Sequence, residues 1–244
     1  MSKSKLHLVA AITTAVISIH ISKTLAASIT NGSFEDGLTG WTVISEPGGA
    51  GSWYSTSETF VGSPIEGSTD GSFYAFTTQR GPSSQILFQD ITVDSIGKQT
   101  LSFDWFTRSG GELASNGTES YLGGPNQHFR VDLLTLEFND FFGPSENGVI
   151  ANLISDTADF RVGSFTSEFQ STVFDLTPFS GQTIRLAFRQ VDNQFPLSAA
   201  VDDVRITSIK PVHVPESSIV GAISSVIATI TILTIKLRQK EYFP

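Results

Sequence analysis

Between residues 29 and 208 the apolar positions recur every second residue rather than every third or fourth. Leu101-Ser-Phe103-Asp-Trp105 puts Leu, Phe and Trp on one face of an extended segment. Ile184-Arg-Leu186-Ala-Phe188-Arg turns Ile, Leu and Phe inward and Arg185 and Arg189 outward, and Phe129-Arg-Val131-Asp-Leu133 repeats the arrangement. Alternation of this kind, punctuated by Gly, Ser, Asn and Pro, predicts antiparallel strands buried on one side. Further strands are predicted over 41–44, 51–55, 72–77, 85–93, 162–168, 171–176 and 199–207, and no segment of the body shows a helical period. So many short strands in one domain predict an all-β fold: a jelly-roll-type antiparallel β-sandwich over residues 28–208.

Two segments break the regularity. Residues 109–126 (SGGELASNGTESYLGGPN) are rich in Gly, Ser and Asn and carry one aromatic, Tyr121. Residues 141–159 are more mixed and long enough to hold a short helix. Long loops on a rigid sandwich are common binding elements, although tolerated insertions have the same composition.

The pattern changes character at both ends. Residues 1–27 run from Lys3 and Lys5 through an apolar stretch to Thr24-Leu-Ala26-Ala27, the order of a secretory signal peptide with cleavage expected after Ala26 or Ala27. Residues 209–216 form a Pro-bracketed linker. Residues 217–235 are uncharged, 19 in number, close to the ~20 a helix needs to cross hydrocarbon. Lys236, Arg238 and Lys240 lie in a basic tail, residues 236–244, that stays cytoplasmic by the positive-inside rule. Together the two ends predict an exported body held by one C-terminal span.

Charge sharpens this reading. Residues 28–213 hold 9 Lys or Arg against 22 Asp or Glu, a net of −13. So acidic a body argues against nucleic acid as a partner, because phosphate binding rests on Lys and Arg. It is compatible with divalent cations. The chain has no Cys, which removes disulfides, thiolate metal sites and a Cys nucleophile together. Of its four His, His7 and His20 lie in the signal and His213 in the linker. His128 remains, at a strand end where a surface role is expected, so the sequence predicts no enzyme of the Ser-His-Asp or zinc class.

Two carboxylates stand out. In Ala199-Ala-Val-Asp202-Asp203-Val204-Arg205-Ile206, counting by two from Val204 and Ile206 places Asp202 inward, with Asp203 and Arg205 outward. A buried carboxylate needs a partner: Arg, backbone donors or a metal. Near the other end, Asn31-Gly-Ser-Phe34-Glu35 precedes Gly40-Trp41. If the first and last strands meet, Glu35 and Asp202 are close enough to share a hard cation. Among the aromatics, Trp41 and Trp105 alternate as core positions, whereas Trp53, Tyr54 and Tyr121 sit in Gly-Ser or loop surroundings and are the candidates for stacking on a sugar.

Asn31-Gly-Ser-Phe-Glu with Gly40-Trp41, and the closing Val201-Asp202-Asp203-Val204, resemble the edges of carbohydrate-binding-module and galactose-binding-like jelly rolls. That resemblance implies a structural Ca2+ with Glu35 and Asp202 as side-chain ligands, completed by carbonyls of the opening segment and of the Thr69-Asp70-Gly71-Ser72 turn. A carboxylate hydrogen-bonded without metal is the alternative for the same residues. At the C-terminus, Val214-Pro215-Glu216-Ser217, the apolar span and the basic tail resemble PEP-CTERM sorting signals, with Ser217 where a second Pro is expected. This implies processing by an exosortase-like enzyme; an ordinary single-span anchor predicts the same topology. The combined expectation is a non-enzymatic surface protein that associates with extracellular polysaccharide. The alternative is a structural or adhesive protein using the sandwich as a scaffold.

Overall fold

The computed structural model describes residues 28–58, 67–77, 81–155, 165–166 and 168–210. The expected signal peptide at 1–27, the expected span at 217–235 and the expected sorting motif Val214, Pro215, Glu216 and Ser217 lie outside these residues. The body is all-β, as the alternation predicts. Its strands are β1 Thr42–Ser45, β2 Trp53–Thr56, β3 Tyr74–Thr77, β4 Ser83–Thr92, β5 Lys98–Ser109, β6 Gln127–Leu134, β7 Val149–Ser155, β8 Phe165–Thr166, β9 Gln170–Asp175, β10 Thr183–Asp192 and β11 Leu197–Ile209. They form two antiparallel sheets. One has the order β1-β4-β10-β6-β7, and the other β2-β3-β11-β5-β8, with β9 also paired to β5. The chain passes repeatedly from one sheet to the other, as at β3–β4, β4–β5, β5–β6, β9–β10 and β10–β11, the winding expected of a jelly roll.

The inter-sheet core follows the two-residue period. From the first sheet come Leu87, Ile91, Phe129, Val131, Leu133, Ile184, Leu186 and Phe188; from the second come Trp53, Leu101, Phe103, Trp105, Ala199 and Val201. Register sets these side by side, with Phe188 opposite both Leu87 and Val131. The burial of such side chains, worth ~1.5–3 kcal/mol each, carries the stability of a chain with no disulfide.

Two expectations change. The 141–159 segment contributes β7 instead of a helix: Ala151 and Leu153 pack against the core and β7 pairs with β6 as an edge strand. The 110–126 and 135–148 segments are not free loops. Glu119 N donates to Gly143 O (2.9 Å) and Ser145 N to Gly117 O (2.9 Å), so the two segments join. They cover much of the outer face of the first sheet, leaving Thr42, Asp90 and Thr92 at its β1–β4 side exposed. Under them lies a second apolar cluster of Ile86, Phe88, Leu134, Phe138 and Ala187.

Candidate functional site

The opening segment and β11 do meet, and local geometry explains the residue types. Gly32 O accepts from Val204 N at 3.0 Å, and a Cβ at Gly32 would overlap the Val204 carbonyl. Asn31, in left-handed backbone (φ 51°), folds the segment into a tight hook. Its amide donates to Gly37 O (3.0 Å) and Thr39 O (3.2 Å), its Oδ1 accepts from Asp36 N, and its own carbonyl accepts from Trp41 Nε1 (3.1 Å). Phe34 is thereby driven into the core beside Trp41.

Asp202 is buried, as predicted, but on the other side of the sheet. Val201 and Val204 both enter the core, three residues apart, because a bulge between Asp202 and Arg205 inserts a residue into β11. Asp203 supplies the bulge with φ 51°. Asp202 therefore shares the parity of Ala200, which belongs to the outer aromatic cluster with Tyr74, Phe76 and Phe106. Counting by two from Val204 fails because the bulge breaks the period.

What buries Asp202 is the turn at residues 69–73. Its Oδ2 accepts from Thr69 N (2.6 Å), Thr69 Oγ1 (3.1 Å) and Asp70 N (3.0 Å), and its Oδ1 from Asp203 N (2.8 Å). Glu35 grips the far side of the same turn, where its Oε1 accepts from Ser72 N (2.6 Å) and Phe73 N (2.7 Å). Between them Gly71 (φ 76°) passes so close to the Glu35 carboxylate that any Cβ would overlap it. Burial pushes the Asp202 carboxyl up to about 6, against the pull of the four donors. Asp203, by contrast, pairs with Arg205.

The pair fits a hard cation in donor chemistry: both groups are oxygen donors, and Asp202 is a buried anion whose bonds all come from neutral donors. It falls short in number, since among the described residues no group of three His, Cys, Asp or Glu side chains assembles here. Carbonyls would have to complete the shell, and amide donors already satisfy Asp202.

The aromatic candidates separate. Trp53 is not an exposed platform: it is 3% exposed and belongs to the inter-sheet core, because its strand position, not its Gly-Ser surroundings, decides its face. Tyr54, one residue on, lies on the outer face, half-buried and edge-on to Phe76. Tyr121 is half-buried and works as a strut. Its hydroxyl donates to Pro47 O (3.0 Å), its N–H to Glu46 Oε2 (2.9 Å), and Ser120 holds the other Glu46 oxygen (2.6 Å).

A buried charge network lies under the two covering segments, where the alternation predicts solvent. Arg189, expected outward, is 0% exposed. Its Nε donates to Asp132 Oδ2 (2.8 Å) and its Nη2 to Ser145 O (2.8 Å). Arg130 adds a two-pronged pair to Asp132 at 2.7 and 2.8 Å. His128, expected at the surface, is buried with Nε2 at 3.2 Å from Glu119. Burial alone would raise Glu119, but His128 and Arg189 outweigh it and hold the carboxyl below its usual range. The available signal was a Gly-rich loop whose charges, Glu112 and Glu119, have no basic neighbour within it, next to a strand whose polar side carries both signs.

The sequence matches no family model and no curated protein. Among solved structures, the chain is similar to a carbohydrate-binding module, TmCBM61, in complex with β-1,4-galactotriose (10% identity, 74% of this chain and 97% of that one, TM-score 0.44). It is also similar to the K1 cleaved adhesin domain of Lys-gingipain from Porphyromonas gingivalis W83 (17%, 77% and 99%, TM-score 0.46). A third is the Stig cyclase Fisc from Fischerella sp. TAU (14%, 77% and 99%, TM-score 0.44). Likeness at these identities and scores assigns no family, ligand or activity to the chain.

Proposed function

We propose that this protein is exported, displayed at the cell surface, and associates through its β-sandwich with extracellular polysaccharide without catalysing a reaction. The observation that carries the reading is the meeting of the two motifs that resemble carbohydrate-binding modules. The opening Asn31–Trp41 hook and the Asp202–Asp203 bulge are joined by the Val204–Gly32 hydrogen bond, and Glu35 and Asp202 hold one turn between them. The non-catalytic part is supported by the use of His128 in a buried contact with Glu119, remote from solvent. In this proposal Glu35 and Asp202 would also hold calcium, which would supply a tie between the opening segment, the 69–73 turn and β11. At the C-terminus, the PEP-CTERM-like residues Val214 to Ser217 would place the chain in the membrane for an exosortase-like enzyme.

Two measurements test the reading. A glycan array probed with the purified protein, including matrix polysaccharide of its own host, should show binding; silence on every glycan would overturn the function and favour a scaffold role. Mass spectrometry of the mature protein should find its N-terminus at Ala27 or Ser28. An intact N-terminus beginning at Met1 would remove the export argument.

A further inference from the structure

One end of the sandwich carries an aromatic side chain that the fold exposes on an immobilised loop. The β10–β11 turn, residues 193–196, is held by almost every polar group it owns. Asn193 Nδ2 donates to Tyr121 O and Gly124 O (both 2.8 Å), and its Oδ1 accepts from Asn126 N (2.8 Å). Gln194 N and Phe195 N both donate to the buried Gln127 Oε1 (3.2 and 3.0 Å), and Pro196 O accepts from Gly110 N (2.6 Å). Behind the turn, Asp192 is fixed by Ser83 N (3.0 Å) and Gln190 Nε2 (2.8 Å). The Phe195 ring nonetheless stays 49% exposed. One side of it rests where any side chain at Gly111 would have to stand. Beside it opens a cleft of about 250 Å³ lined by Gly81, Pro82 and residues 192–196.

We propose that this cleft is a saccharide subsite that takes a single unit of a neutral glycan end-on, with Phe195 as the stacking face. The proposal rests on the polysaccharide-associating function above and names where and how it acts. A sugar ring presents C–H faces and a rim of hydroxyls. Phe195, Pro82 and Pro196 offer apolar surface to the first, and the exposed Gln194 side chain offers a polar group to the second, the Asn193 amide being taken up in the turn itself. The volume admits one ring or little more.

A larger cleft of about 410 Å³ lies along β1 and β4, between Thr30, Thr42 and Thr92, but it offers no open stacking face: its aromatic, Phe88, is 9% exposed, stacked on Phe141 and covered by Arg185. The rest of the first sheet's outer face lies largely under residues 110–126 and 135–148, and the Tyr74, Phe76 and Phe106 cluster of the second is buried. Neutral glycans are favoured over anionic ones by the acidic character of the surroundings. Asp192 stands in the wall of the Phe195 cleft, and the body is strongly acidic. The cleft is also well placed for binding at a surface. β11 starts beside it and carries the chain to Ile209, roughly 40 Å away at ~3.3 Å per residue. The cleft therefore faces away from the end at which the chain leaves the sandwich.

Isothermal titration of the full-length protein with lactose, cellobiose and maltose, and with digalacturonate as the anionic probe, tests this. At least one neutral disaccharide should bind, and its tetrasaccharide homologue should bind no more than a few-fold tighter. Phe195→Ala should weaken binding about tenfold, the upper range for one aromatic contact, and Val173→Ala, on exposed β9, should leave it unchanged. Should Phe195→Ala lower the thermal midpoint, Phe195→Leu takes its place, keeping the apolar bulk without the ring. Binding that survives the loss of the ring overturns the subsite while leaving the wider function standing. Preference for digalacturonate overturns the neutral assignment, and affinity that climbs steeply with chain length overturns the end-on geometry. Failure of every probe, on the array as in solution, overturns both proposals.

Discussion

Asp202 ties the stability of the fold to pH in a direction opposite to that of most carboxylates. Burial raises it from its ordinary value of 3.8 to about 6. Between these values the folded chain holds a proton that the unfolded chain has released, so stability falls as pH rises through the window and levels off above it. A gap of about two units is worth ~3 kcal/mol, at ~1.4 kcal/mol per unit. Asp202→Asn removes the titration while keeping one oxygen acceptor and the volume. Urea denaturation of the two proteins from pH 4 to 7.5 should therefore show free energies that diverge up to about pH 6 and run parallel above it, the wild type losing ~2–3 kcal/mol relative to the variant. Asp192, raised by burial to about 7, also contributes a falling slope, but it is present in both chains and cancels. Calcium adds a second arm: binding only the charged carboxylate, it should restore stability to the wild type at pH 7, do little at pH 4.5, and do nothing for the variant. Parallel pH profiles for the two chains would refute the assignment of the buried charge, and an identical melting temperature in calcium and in chelator would end the calcium proposal.

Other substitutions probe the neighbouring geometry. Arg189→Leu leaves Asp132 and Glu119 buried with one cation fewer, and should cost ~3–5 kcal/mol in denaturant unfolding. A loss under ~1 kcal/mol would mean that the network is wetter than its burial implies. Trp53→Ala should lower stability by ~3–5 kcal/mol through the cavity it leaves in the core, and glycan affinity measured well below the new midpoint should be unchanged. Gly71→Ala forces a Cβ toward the Glu35 carboxylate in left-handed backbone and should cost ~1–3 kcal/mol. Combining it with Glu35→Ala should recover part of that loss, because the crowding partner is gone.

The same two-residue period made the inter-sheet core legible and concealed much of what surrounds it. Leu101, Phe103 and Trp105, or Ile184, Leu186 and Phe188, declare one buried face because the residues between them are polar or, at Ala187, small. Alternation says nothing of what covers the polar face. His128, Arg130, Asp132 and Arg189 therefore read as solvated, although segments with no period of their own close over them. Trp53 shows the converse: local composition marked it as exposed, and its strand position put it in the core.

In β11 the failure was itself a signal. Val201 and Val204 stand three apart, a spacing no regular strand can bury on one face, and the chain answers with a bulge at Asp203 that carries Asp202 to the opposite side. Asn31, Phe34 and Asp203 are the described non-Gly residues with positive φ, and all three belong to this junction. Backbone cost concentrated where the first and last segments lock together marks the junction as a structural clasp. Covering segments close much of the outer face of the first sheet, and the clasp occupies the seam where the opening segment meets β11. The proposed glycan contact lies instead at the loop-bearing end, where Phe195 is 49% exposed on a turn held by hydrogen bonds to Gln127 and Asn126.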